Sequence, residues 1–350
     1  MDGRTNPLAS VAADDRKWCH ETVGSVSRTF AISIELLEEP MSTTLCVGYL
    51  LCRIADTVED ESTLSAEEKS RLLSTYRRAL DPADPSTTAA FARSIESVVS
   101  EPDGDDWYLV ANAERVVRTY ESFPPGARDA ITPPVLELVA GMGAFVKRHA
   151  DEAGVRIQTE AELEEYCYYV AGVIGRLITN LQLWNGDVDG RPERMRELSE
   201  SCGQLLQLVN IAKDVHADYV DEGNVYLPAS WLADVGVSQE NLLADGNESD
   251  VVAVVERTVE RARGYVDDGQ RWLEALGAND ESMLKACTVP FLLAVATLRE
   301  LSERPEAVLT DGGVKISRTE VMTIVASVTT DFDRSSIGPL RESVRRGELT

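Results

Sequence analysis

The sequence predicts an all-α protein, and three observations lead to that class. Apolar residues recur with the 3.6-residue period of a helix from Asp14 almost to the end of the chain. No convincing alternation of apolar and polar residues marks a strand, and only residues 312–317 suggest extended backbone. No linker or internal repeat divides the chain. We therefore expect residues 1–13 to be a flexible leader and residues 14–350 to be a single helical domain.

The predicted helices follow one another through short turns. The first begins near Asp14 and ends before Pro40. Residues 42–60 are apolar on nearly every side until their acidic end, which predicts a buried helix. Turn-forming residues predict loops at 81–88, 101–106, 185–193 and 244–250. The remaining predicted helices are 65–80, 107–122, 125–150, 160–185, 194–221, 251–276, 280–303 and 318–346.

The charge balance is strongly acidic. The chain carries 34 Lys and Arg against 60 Asp and Glu, a net charge of −26. Such a surface repels phosphate groups, which excludes nucleic acid or an anionic membrane as the main partner. Only six of the basic residues are lysines. An acid-rich, lysine-poor surface is similar to that of proteins from extreme halophiles, so we expect folding and activity to need molar salt.

The cysteines and the chain ends indicate a cytoplasmic protein. The six cysteines form no CxxC motif and lie mostly in apolar helical runs, which predicts free buried thiols. The first 15 residues lack the apolar core of a signal peptide. No run of about 18 uninterrupted apolar residues occurs, so we expect no transmembrane segment.

Residues 206–228 begin as an apolar helical pattern and then place two acids, Asp214 and Asp218, four residues apart. Positions i and i+4 share one face of a helix, where two carboxylates repel each other unless a cation lies between them. Mg²⁺ is the simplest candidate because it binds one or two carboxylates together with substrate phosphates. The alternative is that both acids are solvated side chains of an acidic helix.

A second, matching pair favours the metal hypothesis. Helix 42–60 ends with Asp56 and Asp60 at i and i+4, and Glu59 lies on the adjacent row. Two apolar helices that each present carboxylates at one end would form an acidic cleft for Mg²⁺ and a diphosphate. Beside it, an apolar pocket would hold a hydrophobic chain. This combination is typical of enzymes that ionise a prenyl diphosphate, where metal stabilises the leaving group and a dry pocket shields the carbocation.

Several blocks of the sequence resemble the squalene/phytoene synthase family of head-to-head prenyltransferases, and among them the squalene synthases of halophilic archaea. In order they are residues 27–30 (SRTF), 49–60 (YLLCRIADTVED), 166–175 (YCYYVAGVIG), 207–218 (QLVNIAKDVHAD) and 225–228 (VYLP). The resemblance implies a single-domain helical bundle of the isoprenoid-synthase type around a central cavity.

The resemblance also implies roles for individual residues. The Mg²⁺ and diphosphate ligands would be Asp56, Glu59, Asp60, Asp214 and Asp218. Diphosphate oxygens would be contacted by Ser27, Arg28 and Arg53, of which the arginines suit phosphate geometry. The cleft near the ionising carbon would be lined by Tyr49, Gln207 and Asn210.

Four residues have two interpretations each. Tyr166 matches the family tyrosine implicated in proton removal or diphosphate departure, or it is an ordinary core tyrosine. Gly172 and Gly175 either leave room for a prenyl chain or only let helices pack closely. Arg53 could equally form a structural pair with a nearby acid.

The segment from Gly312 to Arg318 distinguishes members of the family. It resembles a block of squalene synthases whose basic residues are implicated in NADPH binding, which implies this role for Lys315 and Arg318. The expected reaction joins two farnesyl diphosphates to presqualene diphosphate, which NADPH then reduces to squalene. The alternatives are phytoene synthase, which uses two geranylgeranyl diphosphates without reductant, and dehydrosqualene synthase. They stay open because Ala217, Asn224 and Ser317 depart from the squalene synthase pattern.

The expected partners are prenyl diphosphate substrates, with contact to a membrane surface only for product release, and the expected state is a monomer. A non-catalytic subunit that keeps the fold would be expected to have lost the acid motifs. Both motifs are intact, which favours an enzyme of isoprenoid and lipid biosynthesis.

Overall fold

The all-α prediction is confirmed. The computed structural model describes residues 7–8, 10–99, 104–152, 154–186, 192–276 and 281–349. Within these ranges the regular structure is helical, apart from one isolated parallel bridge between Arg156 and Val225. Residues 312–317, which suggested extended backbone, form no strand there. The chain groups into two compact units, each described by itself.

The first unit comprises Met1–Arg148, Arg176–Pro192 and Gly277–Ala286. Its main helices are α1 (Ala13–Val26), α2 (Arg28–Glu35), α3 (Met41–Asp60), α4 (Ala66–Leu80), α5 (Thr88–Glu96), α6 (Gly104–Ala111), α7 (Ala113–Glu121) and α8 (Pro125–Arg148). Helix α3 contacts α1, α2, α4, α6, α7 and α8, and most of its residues are buried. The apolar run at 42–60 is thus the core helix that its composition predicted.

Two predicted helices of this unit are each divided in two: the first becomes α1 and α2, which meet at Ser27, and the second becomes α6 and α7. The pattern at 107–122 predicted continuity, but α6 ends at Ala111 and α7 begins at Ala113. Asn112 between them has φ −102° and ψ 17°, and its side-chain amide donates to the Tyr108 carbonyl oxygen over 2.8 Å. An Asn side chain competes with the helical backbone for hydrogen bonds, which favours such a break.

The second unit comprises His149–Gly175, Glu193–Leu276 and Cys287–Thr350. Its helices include α9 (Glu160–Cys167), α11 (Pro192–Lys213), α12 (Val215–Val220), α13 (Ala229–Asp234), α14 (Glu248–Arg263), α15 (Val266–Ala275), α17 (Arg318–Thr329) and α18 (Ile337–Arg345). Two further helices, α10 (Val173–Asn185) and α16 (Glu281–Glu303), contribute residues to both units.

Several helices of the second unit are less continuous than predicted. The predicted helix 160–185 contains a π-helical turn at Tyr168–Gly172. The prediction of unbroken helices at 194–221, 251–276 and 318–346 was wrong, because each is divided into two. The first of these breaks falls at Asp214, within the acid motif.

Two helices, α8 and α16, are long and apolar enough to cross a membrane by length and composition. Their most apolar windows are 56% and 78% buried inside the protein, respectively. The core helix of a soluble protein passes the same test, so the finding is weak evidence for a span.

The N-terminal leader and the cysteines were also predicted. Residues 1–6 and 9 of the leader lie outside the described residues, whereas Leu8 and Val11 are buried. All six cysteines are free and buried, as predicted. Burial raises the pKa of Cys19 to about 11 and that of Cys202 to about 12, so these thiols are unreactive near neutral pH.

Candidate active site

In the first unit, Ser27, Phe30 and Tyr49 form one group. Ser27 precedes α2, and its hydroxyl accepts a hydrogen bond from the Phe30 amide over 3.3 Å. The Phe30 and Tyr49 rings are stacked, with centroids 3.9 Å apart. Burial raises the pKa of Tyr49 to about 12, although a hydrogen bond with Ser27 opposes the shift. Tyr49 is therefore a neutral phenol at physiological pH.

Arg53, one turn after Tyr49, bridges two carboxylates. Its Nη1 donates to Asp56 on the next turn of α3, and its Nε donates to Asp106 Oδ1 of α6 over 2.9 Å. Burial alone would lower the pKa of Arg53, but Asp56 and Asp106 raise it above its ordinary value. The alternative that Arg53 pairs with a nearby acid is thus realised in this structure. Asp106 was not predicted, because it lies 53 residues away along the chain.

The other predicted residues of this unit lie at helix ends. Arg28 is the exposed first residue of α2, and Asp60 is the half-buried last residue of α3. Glu59 differs from its neighbours, because only 2% of it is exposed, whereas the Asp56 side chain is 33% exposed. The three acids of the motif therefore do not share one environment.

In the second unit, the predicted residues lie along α11 and α12. Gln207 is half-buried and Asn210 is exposed, both on α11. Asp214 lies between the two helices with φ −103° and ψ 13°, and Lys213 donates to its carboxylate. The Asp218 amide still donates to the Asp214 carbonyl oxygen over 2.9 Å, so the i, i+4 relationship survives the helix break.

Asp218 is in an environment that suits a cation. Burial raises its pKa to about 8, and the neighbouring Glu222 and Asp214 carboxylates add to the shift, which Lys213 only partly opposes. A divalent ion would relieve this repulsion, and an all-oxygen donor set is the one that Mg²⁺ prefers. In the described parts of the chain, no group of three or more His, Cys, Asp or Glu side chains is arranged to hold a metal.

Tyr166 forms a buried pair with Tyr226. The two rings are stacked with centroids 4.8 Å apart, and the Tyr166 hydroxyl donates to the Tyr226 hydroxyl over 3.1 Å. The Asn224 side-chain amide also donates to Tyr226, over 3.0 Å. No local sequence pattern predicts these contacts, because Tyr166 and Tyr226 are 60 residues apart.

The small residues after Tyr166 face α11. A Cβ on Gly175 would overlap the Ser199 carbonyl oxygen, and a Cβ on Gly203 would overlap that of Ala171. A Cβ on Gly172 would lie 3.2 Å from the Tyr168 ring, where the side chain can adjust. Gly175 therefore has the packing role, together with Gly203, which was not predicted.

Lys315 and Arg318 are exposed and lie on either side of the start of α17. Gly313, two residues earlier, has φ +54°, and a Cβ there would lie 2.8 Å from the Lys213 carbonyl oxygen. After Lys315, the Ser317 hydroxyl caps α17 by accepting from the Glu320 amide over 3.1 Å.

Glu320 in turn fixes this helix to α16. It is buried, and its carboxylate accepts from Arg299 Nη1 and Nη2 over 2.8 and 2.9 Å. The segment with Lys315 and Arg318 is thus held at both ends, and at one end it contacts the residue before Asp214.

The fold is all-α and carries two acidic motifs. A neutral tyrosine lies near one motif, and a tyrosine pair lies beside the other. These features define a class, the helical enzymes that act on prenyl diphosphates. A family profile described as squalene/phytoene synthase matches residues 23–320. The chain belongs to this family and is a head-to-head prenyltransferase.

Curated relatives agree with this assignment. The squalene synthase of Schizosaccharomyces pombe is 24% identical over 325 residues, which are 91% of this chain and 67% of that protein. Squalene synthase R6 of a Phoma species is 27% identical over 320 residues, 91% of this chain and 72% of the relative. Squalene synthase 1 of Arabidopsis thaliana is 25% identical over 293 residues, 80% of this chain and 64% of the relative. The chain thus spans about two thirds of their length.

Solved structures confirm the fold. TcSQS with a bound ligand has a TM-score of 0.76 at 23% identity, and the match covers 95% of this chain and 98% of that one. A dehydrosqualene synthase with a bound ligand has a TM-score of 0.64 at 21% identity, covering 91% and 96% of the two chains. The prediction of an isoprenoid-synthase-type helical bundle is confirmed by these matches.

Proposed function

We propose that the chain is a squalene synthase. It would join two farnesyl diphosphates head to head into presqualene diphosphate and reduce this intermediate to squalene with NADPH. The observation that supports this choice is the position of the segment that carries Lys315 and Arg318: through Gly313 it contacts Lys213, the residue before Asp214. The cations implied in NADPH binding are thus carried by a segment packed beside the second acid motif.

Within this proposal, the acids hold the metal and the arginines hold the substrate. Asp56, Asp60, Asp214 and Asp218 would bind Mg²⁺, which when bound neutralises the departing diphosphate. Arg28 is exposed and would contact diphosphate oxygens directly.

Arg53 and Tyr49 have complementary tasks. The Arg53 guanidinium stays charged between Asp56 and Asp106, and its planar fork suits a diphosphate oxygen. Tyr49 has a pKa of about 12 and therefore keeps its proton and donates a hydrogen bond without adding negative charge. Stacking on Phe30 fixes the Tyr49 ring and therefore the hydroxyl that donates this bond.

NADPH would supply the hydride for the second step. Lys315 and Arg318 are exposed cations on a chain with net charge −26, which otherwise repels a nucleotide phosphate. Their segment is held by Gly313 on one side and by the Arg299–Glu320 pair on the other, so the two cations are presented on a fixed support.

Dehydrosqualene synthase is the second candidate, and Ser317 favours it. Ser317 occupies the position where squalene synthases have a second basic residue, and here its hydroxyl caps α17 instead. Fewer cations for NADPH would leave the reaction without its reduction step. Phytoene synthase differs in its longer substrate. The depth of the substrate pocket decides which chain length is accepted.

One set of incubations separates the candidates. The enzyme is mixed in high salt with Mg²⁺ and farnesyl diphosphate, with and without NADPH, and in a separate reaction with Mg²⁺ and geranylgeranyl diphosphate alone. The hydrocarbons are identified by mass spectrometry. We expect squalene only when NADPH is present. Dehydrosqualene in both reactions would support the second candidate, and phytoene from geranylgeranyl diphosphate alone would contradict the proposal.

We further propose a halophilic enzyme that works as a monomer in the cytoplasm and contacts a membrane surface only to release its product. The acid-rich, lysine-poor composition supports salt dependence and argues against stable binding to anionic lipids.

A further inference from the structure

We infer that Tyr226 and Asn224 are positioning residues for Tyr166: the Asn224 amide orients Tyr226, and Tyr226 holds the hydroxyl of Tyr166 for the first half-reaction. The inference rests on the proposed function, in which Tyr166 acts on the prenyl diphosphates.

The contact between the two tyrosines fixes both the ring and the hydroxyl of Tyr166. Tyr166 and Tyr226 are 3% and 6% exposed. Their rings are stacked at an angle of 28°, and the hydroxyl oxygens are 3.1 Å apart. A buried phenol that is stacked and hydrogen-bonded to a second phenol has little freedom to rotate its oxygen away from one position. Tyr226 therefore decides where the Tyr166 hydroxyl points.

Asn224 in turn has only one orientation. The backbone amide of Val155 is a donor, and it donates to Asn224 Oδ1 over 2.8 Å. The opposite end of the side chain must then be the NH₂ group, which donates to Tyr226 over 3.0 Å and to Glu222 over 3.2 Å. The Asn224 side chain is buried, so loss of these partners would leave polar atoms unpaired.

The same residue connects the tyrosine pair to the second acid motif. The backbone amide of Asn224 donates to the Asp218 carbonyl oxygen over 2.7 Å. Asp218, Asn224 and Tyr226 also line one small cavity of about 10 Å³, close to the volume that a single water molecule needs. Movement of Asn224 would thus change the tyrosine pair and the acid motif together.

The surroundings explain why a short amide occupies position 224, which departs from the squalene synthase pattern. Gly154 has φ +109°, and a Cβ there would already lie 2.8 Å from Asn224 Oδ1. The Arg156 guanidinium donates to the carbonyl oxygen of Gly223, the residue before Asn224. The site has room for a short amide and already contains a guanidinium.

The test is a double-mutant cycle on the release of diphosphate from farnesyl diphosphate. Tyr226→Phe keeps the stacked ring and removes only the hydroxyl. We expect kcat to fall about 10-fold, the scale of one lost hydrogen bond, with KM for the prenyl diphosphate nearly unchanged. In a Tyr166→Phe background the same substitution should have no further effect, because there is no hydroxyl left to position.

Tyr76→Phe is the matched control. The Tyr76 hydroxyl is buried and donates to the Leu51 carbonyl oxygen over 2.9 Å, so its loss destabilises the fold without touching the site. We expect it to lower the thermal midpoint and to leave kcat unchanged. If Tyr226→Phe does not fold, Asn224→Asp serves instead, because it keeps the acceptor for Val155 and removes the donor to Tyr226.

Three results would overturn the inference. The first is wild-type kcat in folded Tyr226→Phe, and the second is a decrease in kcat by Tyr226→Phe that has the same factor in the presence and absence of the Tyr166 hydroxyl. The third is wild-type kcat in Tyr166→Phe, which would leave squalene synthesis itself intact. Failure of the proposed function is seen separately, as lack of any farnesyl diphosphate turnover by the unmodified enzyme.

Discussion

Gly175 lies so close to the carbonyl oxygen of Ser199 that no side chain fits between α10 and α11. Only glycine allows a backbone approach of this kind. Gly203 on α11 makes a similar approach to the carbonyl oxygen of Ala171, which lies in the π-helical turn Tyr168–Gly172 just before α10. A pair of glycines thus brings α11 close to this turn and to the start of α10.

We therefore expect Gly175→Ala to destabilise the protein by about 3 kcal/mol or more, since its Cβ would overlap backbone rather than a movable side chain. Gly172→Ala is the matched control, because its Cβ would first meet the Tyr168 ring at 3.2 Å. It should cost less than about 1 kcal/mol. Denaturant unfolding in high salt measures both. Equal stability of the two variants would contradict the packing role.

Asp56 and Asp106, the two carboxylates that accept hydrogen bonds from Arg53, should contribute differently to kcat. Asp56→Asn removes a proposed metal ligand, and we expect kcat to fall at least about 100-fold. Asp106→Asn keeps an oxygen that can accept from Arg53 Nε, so the loss should stay within about 10-fold. Steady-state release of diphosphate compares them. If the two variants lose equal activity, Asp56 acts only through Arg53.

Asp218 should make the metal-free protein less stable as the pH rises. Its pKa is about 8 in the folded protein against 3.8 for an ordinary aspartate. Between these values the folded state binds more protons than the unfolded state, so the free energy of unfolding falls with increasing pH. We expect the thermal midpoint, measured in EDTA, to decline from about pH 4 to about pH 8.

Asp218→Asn is the control for that experiment, because it removes the titrating group and should flatten the decline. Adding Mg²⁺ at pH 8 should raise the midpoint of the wild type more than that of this variant. A pH profile unchanged by Asp218→Asn would show that the general acidity of the chain, rather than this carboxyl, sets the stability.

Lys315 should affect only the reductive step. We expect Lys315→Ala to raise KM for NADPH roughly 10- to 100-fold, the scale of one charge-assisted hydrogen bond, and to leave the release of diphosphate from farnesyl diphosphate unchanged. Lys17→Ala is a control at an exposed lysine whose partner is Glu21 on the next turn of α1. Product analysis should show less squalene and more presqualene diphosphate for Lys315→Ala alone. Equal losses in both half-reactions would contradict an NADPH role.

Salt should control folding. With a net charge of −26, the chain repels itself most strongly in dilute buffer, where the Debye length is roughly 30 Å at 0.01 M, and much less at 1 M, where it is roughly 3 Å. We expect the helical circular-dichroism signal and the activity to increase together between 0.1 and 2 M KCl as order-of-magnitude limits. Full activity and an unchanged thermal midpoint in dilute buffer would contradict this expectation.

The sequence by itself determined the helical class, the buried helix α3, the free thiols and the two acid motifs. These features depend on residues a few positions apart, because helix periodicity and i, i+4 spacing are local properties. The family also followed from short blocks in a fixed order. The helix break at Asp214 was missed, although the i, i+4 hydrogen bond that the prediction used survives it.

Only the tertiary structure decided which residues surround these motifs. Asp106 reaches Arg53, Tyr226 reaches Tyr166, and Gly313 reaches Lys213, each across at least 53 residues of chain. No local pattern encodes such partners, because they meet only when helices pack. The sequence therefore located the acid motifs, and packing decided how their neighbouring side chains are oriented.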